Sequence, residues 1–392
     1  MLDLGQDAIA LTGQLIRMDT VNPPGNEKVP ARFLGRLLTE GGFEVSYHEF
    51  EPARTSLVAR FGASPTSKPI CFTGHLDTVP LGAAPWAFPP HAGQIMDDRL
   101  YGRGSSDMKS GVAAFVTSAL DYARRAPREA NLVLVLTASE ETGCQGANHL
   151  ADTDGTLGQA GAIVVGEPTA NYPMIGHKGV LWLQARTRGV TAHGSMPEVG
   201  VNAIYVARRV IEKLEQFRFS ETPHPLLGSP TLSVGTMRSG SNINSVPDLA
   251  ELGIDIRTVP GMCHSELCER LVDYLGPDLA ELEGVIDMAP LYTSPDVPWI
   301  RRVFQIVTPI IGLQPEPRGA GYFTDACALK PAYCDAPTVI LGPGEANQAH
   351  QTNEFCLASR IVQAVEIYGA LMRDWCGAVR QSEVLLSSDQ FS

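Results

Sequence analysis

At 392 residues the chain is longer than one compact core usually accommodates, so two domains are expected. Its 44% hydrophobic and 19% charged residues are ordinary for a globular protein, and a formal net charge of -13 argues against nucleic acid or an anionic membrane as partner. No apolar run reaches the roughly 18 residues of a membrane span, and the first residues lack the basic-then-apolar pattern of a secretory signal.

In chain order, residues 4–17 have helical spacing and stop before Thr20-Val21-Asn22-Pro23-Pro24-Gly25. A second helix is expected over 29–40, closed by Gly41-Gly42. Residues 43–50 and 55–61 read as strands, and the short apolar run 69–73 reads as a buried one. An amphipathic helix follows over 109–125, then apolar strands at 132–137 and 162–165. This alternation predicts an α/β layer on a mostly parallel sheet, in which ligands collect beyond the carboxyl ends of the strands.

After Gly179 the texture changes. Residues 180–187, 231–235 and 250–257 alternate as open-sheet strands do, with helices expected over 203–217 and 265–275. A smaller α+β insert over 180–292 would therefore interrupt a catalytic domain made of 1–179 and 293–392, which resumes with a strand at 338–341. The Ser-, Asp- and Gln-rich tail from Ser382 reads as poorly ordered. The eight cysteines contain no C-x-x-C pair, so neither a thiolate zinc site nor a redox dithiol is expected; they read as reduced thiols of a cytoplasmic protein.

Five short segments put a His or a carboxylate near the end of an apolar run: Thr73-Gly74-His75-Leu76-Asp77, Asp107, Glu140-Glu141, Gly166-Glu167-Pro168-Thr169 and Ala349-His350-Gln351. Together they hold enough imidazole and carboxylate for two divalent ions sharing one Asp, an inventory suited to metal-assisted hydrolysis. His75 and Asp77 are two apart, so on extended backbone they face the same side and Asp77 can orient the His75 ring. Asp107, before the helix that starts near Met108, is either that helix's N-cap or a carboxylate bridging two cations. Glu140 and Glu141 diverge as neighbours do, so one can bind metal while the other serves as general base. His193 stands among the small residues of Thr191-Ala192-His193-Gly194-Ser195, which leave it room to move.

With these motifs in register over nearly the whole chain, the sequence resembles the acetylornithine deacetylase and succinyl-diaminopimelate desuccinylase family of co-catalytic zinc metallohydrolases, which includes aminoacylases and carboxypeptidase G. The matching segments also include Tyr101-Gly102-Arg103-Gly104-Ser105-Ser106-Asp107-Met108-Lys109 and Asp255-Ile256-Arg257. The resemblance implies that His75 and Glu167 hold one ion, that Glu141 and His350 hold the other, and that Asp107 bridges them. It also implies a cis peptide after Asp107, with Asp77 orienting His75. Glu140 would be the base acting on the water between the ions and would pass its proton to the leaving amine.

The insert would be a lid and dimerisation domain of a homodimer. His193 would stabilise the oxyanion in the partner's site, and Asn244 and Arg257 would hold the substrate carboxylate. Zinc fits the ligands, while cobalt or manganese could substitute. Leu341-Gly342-Pro343-Gly344 and Pro260-Gly261-Met262 look most like acetylornithine deacetylase, hence a small-molecule N-acyl amino acid as substrate and a place in arginine biosynthesis. The loop Phe323-Thr324-Asp325-Ala326 departs from that enzyme, which carries a Glu there, and is nearer the aminoacylase and carboxypeptidase G type. The alternatives are a carboxypeptidase or dipeptidase of the same family and a non-catalytic binding homologue.

Overall fold

A computed structural model describes residues 3–62, 68–125 and 131–377; the expected disorder from Ser382 lies outside them. The chain divides into two compact units: Met1–Pro173 with Asp296–Pro315 and Leu329–Ser392, and Met174–Pro295 with Glu316–Ala328. The span 180–292 falls inside the second unit, which also takes in the returning segment that carries Thr324 and Asp325.

The first unit is built on a six-stranded sheet. In spatial order its strands are Glu44–Glu51, Arg54–Phe61, Leu132–Thr137, Ile70–His75, Ala162–Val165 and Thr338–Ile340. The first two run antiparallel, and the other four are parallel to one another. Every residue of Ile70–His75 and Leu132–Thr137 is buried, which explains why these strands read as continuous apolar runs without alternation. Phe72 on the sheet meets Phe115 of helix Ser110–Arg125 and Tyr368 of helix Ala358–Cys376, with ring centroids 6.1 and 5.5 Å from Phe72. The Tyr368 hydroxyl donates to Leu341 O at 2.6 Å, so its buried polar end is satisfied.

Parallel strands place their carboxyl ends on one edge of the sheet. His75 closes Ile70–His75, Glu140 and Glu141 follow Leu132–Thr137, and Glu167 follows Ala162–Val165. His350 lies in the loop after Thr338–Ile340. The sheet topology alone therefore gathers residues that are up to 275 positions apart, from His75 to His350.

The second unit carries an antiparallel sheet in the order Thr231–Ser239, Leu249–Thr258, Gly179–Arg188, Glu281–Met288. Alternation along Leu249–Thr258 buries Ala250, Leu252, Ile254 and Ile256. Helices Ala203–Gln216 and His264–Leu275 cover that face with Val210, Leu214, Leu267 and Leu271. The strand Glu281–Met288 was not expected. It lies at the sheet edge, breaks register near Gly284 and buries little, so the alternation that betrays a strand is weak there. Helices Pro298–Ile311 and Ala358–Cys376 were likewise not anticipated. Among the described residues no helix is long and apolar enough to cross a membrane.

Candidate metal centre

Asp107 is the hub of the first unit's cluster. Its Oδ1 lies 3.1 Å from His75 Nε2, and its Oδ2 lies 3.4 Å from His350 Nε2. Glu167 Oε1 is 3.7 Å from His75 Nε2, and Glu141 Oε2 is 3.1 Å from His350 Nε2. One carboxylate thus stands between two imidazoles, each of which has a further carboxylate of its own. Asp107 is not a helix N-cap: it and Met108 have non-helical backbone within the wide turn Ser105–Lys109, and the regular helix starts at Ser110. The Asp107–Met108 peptide is cis.

Asp77 does more than face the His75 ring. Its Oδ1 lies 3.4 Å from His75 Nδ1, while its two oxygens accept the backbone N–H groups of Glu140 at 3.0 Å and Glu141 at 3.2 Å. Asn22 Nδ2 donates to Asp77 Oδ2 at 2.9 Å and also reaches Thr142 Oγ1 at 3.0 Å. One buried carboxylate therefore sets both an imidazole and the Glu140-Glu141 turn. His75 Nδ1 also meets the Asp77 backbone carbonyl at 3.0 Å, an oxygen that can only accept. The Nδ1 proton belongs there, which leaves the Nε2 lone pair aimed at carboxylate oxygens.

That arrangement calls for positive charge. Burial works against a charged His75, yet hydrogen bonds to Asp107 and Asp77 and the fields of Glu167 and Glu140 raise its pKa well above the usual imidazole range. Hydrogen bonds to Asp107 and Glu141 raise His350 to about 10. Burial, with the Asp107 charge, pushes Glu141 up to about 7. Burial would raise Asp107 too, but hydrogen bonds to His350 and His75 outweigh it and hold the carboxyl below its ordinary range. The raised imidazoles and the raised Glu141 say the same thing: the acids outnumber the cations. Glu141 Oε1 is buried with no hydrogen-bond partner, an orphaned acceptor in a place suited to a cation. Ligand atoms of His75, Asp107 and Glu141 all lie within 4.8 Å of one another. The donors are imidazole nitrogen and carboxylate oxygen without thiolate, which fits zinc, cobalt or manganese.

Close backbone approach makes the convergence feasible. A Cβ on Gly344 would lie 2.1 Å from Ser106 O, and one on Gly111 would lie 2.0 Å from Gly166 O. Ser106 Oγ also exchanges hydrogen bonds with Glu345, donating to its O at 3.1 Å and accepting from its N at 2.7 Å, and so ties the Asp107 turn to the His350 loop.

The expected substrate-contacting residues His193, Asn244 and Arg257 belong to the second unit. His193 pairs opposite Ser245, and the Gly194 N–H donates to Asn244 O at 2.7 Å, so His193 and Asn244 are neighbours. His193 Nδ1 accepts the Ser195 N–H at 3.2 Å, which leaves Nε2 as the ring nitrogen available to donate. Arg257 Nε pairs with Asp255 at 3.0 Å on the open face of the sheet.

The family model for peptidase family M20/M25/M40 matches residues 71–374. The chain belongs to this family. It is 33% identical to an acetylornithine deacetylase of Vibrio atlanticus over 362 residues, covering 90% of this chain and 92% of the relative. An acetylornithine deacetylase of Vibrio cholerae is 30% identical over 382 residues, with 94% and 97% covered. Among solved structures, an M20 family metallo-carboxypeptidase from Sulfolobus solfataricus superposes with a TM-score of 0.78 at 18% identity, covering 94% of this chain and 98% of that one. A dinuclear metal binding M20 peptidase from Bacillus subtilis gives 0.71 at 14% identity, with 95% and 98% covered. The chain is thus an M20 metallohydrolase acting on amide bonds. The α/β architecture with a mostly parallel central sheet is the one this family carries.

Proposed function

We propose that this chain hydrolyses the amide bond of an N-acylated amino acid, in the manner of acetylornithine deacetylase, with two divalent metal ions. The observation that carries this reading is the Asp107 carboxylate, whose two oxygens face two different imidazoles at 3.1 and 3.4 Å. His75 and Glu167 would hold one ion and Glu141 and His350 the other, with Asp107 shared. When bound, such ions polarise the scissile carbonyl and bring the pKa of water to roughly 7.

The chain's own residues supply the rest. Asp77 holds the His75 ring and fixes the turn after Leu132–Thr137, so Glu141 is presented as a ligand while Glu140 is left to handle protons. Glu140 is buried, takes the proton of the attacking water and delivers it to the leaving amine. His193, as an Nε2–H donor, stabilises the developing oxyanion, reaching the site of a second copy in a homodimer. Asn244 and Arg257 bind the substrate carboxylate, the guanidinium by a two-pronged contact. The second unit acts as lid and dimerisation domain. Apolar side chains exposed around His193, namely Val190, Met196, Val199, Val201 and Tyr205, support that use of its surface.

The reading is tested by loading the protein with zinc and measuring amine release from N-acetylornithine, N-acetylcitrulline, N-succinyl-diaminopimelate, N-acetyl hydrophobic amino acids and simple dipeptides. Release from one acyl amino acid, lost with chelator, is expected. Cleavage confined to dipeptides would replace the deacylase with the peptidase alternative.

A further inference from the structure

The turn that carries Asp107 hangs on a carboxylate with no role so far. Glu354, between His350 and strand Phe355–Leu357, is fully buried. Its Oε1 accepts the backbone N–H groups of Ser106 at 2.7 Å and Asp107 at 3.0 Å. Its Oε2 accepts the Gly104 N–H at 3.0 Å and Arg103 Nη1 at 2.7 Å. Arg103 is buried as well, and its guanidinium donates to Pro80 O at 3.0 Å and Gln351 O at 3.2 Å. Gly104 sits at φ 83 and Asp107 at φ -123, ψ 94, so no regular helix or strand supplies partners for these N–H groups. Without Glu354 they would be buried donors facing nothing, a costly arrangement for backbone N–H groups. The backbone returns the tie, since the Gly102 N–H donates to Glu354 O at 2.9 Å.

We propose that Glu354 is a positioning residue: through the N–H groups of Gly104, Ser106 and Asp107, and anchored by Arg103, it fixes the Asp107 carboxylate between His75 and His350 and thereby sets the affinity of the site for its metal pair. The inference rests on the reading of Asp107 as the shared ligand. A carboxylate serving two ions must aim both oxygens at once, so a tilt of its backbone weakens both positions together, whereas a terminal ligand such as Glu167 disturbs one. Glu354 also lies four residues beyond His350, so the same side chain couples the loop bearing one imidazole to the turn bearing the shared acid.

The test is Glu354→Gln in the full chain. This near-isosteric change turns an amide NH2 group toward N–H donors that now meet a carboxylate. Zinc affinity is measured by competition with a chromophoric chelator, alongside the circular dichroism and melting temperature of the metal-free protein. The expected result is a folded variant that binds zinc about 10- to 100-fold more weakly, the usual effect of removing a hydrogen-bond partner behind a metal ligand. KM for the acyl amino acid at saturating zinc should be unchanged. A variant with a lower melting temperature but wild-type zinc affinity would overturn the proposal and leave Glu354 a merely structural residue. Should Glu354→Gln not fold, Glu354→Asp keeps the charge beside Arg103 but cannot reach every donor, and the same loss of affinity is expected of it. Asp107→Ala, run in parallel, separates the two readings. If it retains two zinc ions per chain, the shared-ligand reading fails; if it loses zinc while both Glu354 variants hold it normally, only the positioning role fails.

Discussion

The two units present their chemistry in opposite ways. In the first, His75, Asp107, Glu141 and Glu167 have side chains 1, 12, 7 and 5% exposed, with His350 the exception at 54%; Asp77 holds His75 and the Glu140-Glu141 turn, and Ser106 ties the Asp107 turn to the His350 loop. In the second, His193 and Asn244 are exposed, and among the described residues Arg257 pairs with Asp255, an acid two residues away. Ligands of the kind proposed for the first unit must be held in place before the metal arrives, because mutual repulsion among carboxylates would otherwise scatter them. Groups that meet a substrate need the reverse, since they have to remain accessible until it binds. Variants of the proposed ligands should therefore answer in metal content, whereas Glu140, proposed as a base and not a ligand, and the residues of the second region should answer in KM and kcat with metal content intact.

The largest effect should come from Glu140→Ala. Removing a general base typically costs about 10²–10⁴-fold in rate. Since the proposed Glu140 role is not that of a ligand, inductively coupled plasma measurement should still find about two metals per chain, as the proposed ligand set requires. An active variant would remove Glu140 as the base; a variant that loses metal would move it into the ligand set. Next comes His193→Ala, expected to lower kcat by about 10²–10³-fold, as the loss of one oxyanion donor does, with metal content unchanged. A normal rate in that variant would take His193 out of the reaction and dissolve the division of labour between the two units.

What could be read from the sequence follows the same division. Apolar runs ending in His75, Glu140-Glu141 and Glu167 were legible because a parallel strand buried on both faces has no alternation, and a charged residue at its end stands out. Asp107 was ambiguous, since an acid before a helix caps more often than it bridges; only the irregular turn Ser105–Lys109 separates the two. The reach of Asp77 to the Glu140 and Glu141 N–H groups was invisible, because it depends on two neighbouring strands ending in register, His75 opposite Thr137. Glu354 was missed for a plainer reason: it is one of 43 acidic residues, and nothing in Thr352-Asn353-Glu354 marks it as buried. Gly344 and Gly111 were a weak trace of the site, glycines where a Cβ would strike backbone. The edge strand Glu281–Met288 gave no pattern because only one of its residues is fully buried.

Arg257→Ala probes the second region on its own. A hydrogen bond to a charged group contributes about 1.5–3 kcal/mol, so KM for the acyl amino acid should rise about 10- to 100-fold. Zinc content should stay as in the wild type, and kcat should move far less than in His193→Ala. An unchanged KM would assign the substrate carboxylate to another residue.

The smallest effect, and the one that tests how the second region stays available, is Asp255→Asn. Asp255 Oδ1 lies 3.0 Å from Arg257 Nε and also accepts from Trp182 Nε1 at 3.1 Å. If Arg257 binds the substrate carboxylate, Asp255 competes for the same guanidinium, and the free enzyme must break part of this pair before substrate can engage. Exposed pairs of this kind contribute about 0.2–1 kcal/mol, so removing the competing charge should lower KM by at most about fivefold while leaving kcat and zinc content alone. A rise in KM would mean that Asp255 orients Arg257 and does not compete for it. The substituted amide keeps an oxygen for Trp182, so a change in either direction reports on the lost charge at Arg257 and not on a loosened indole.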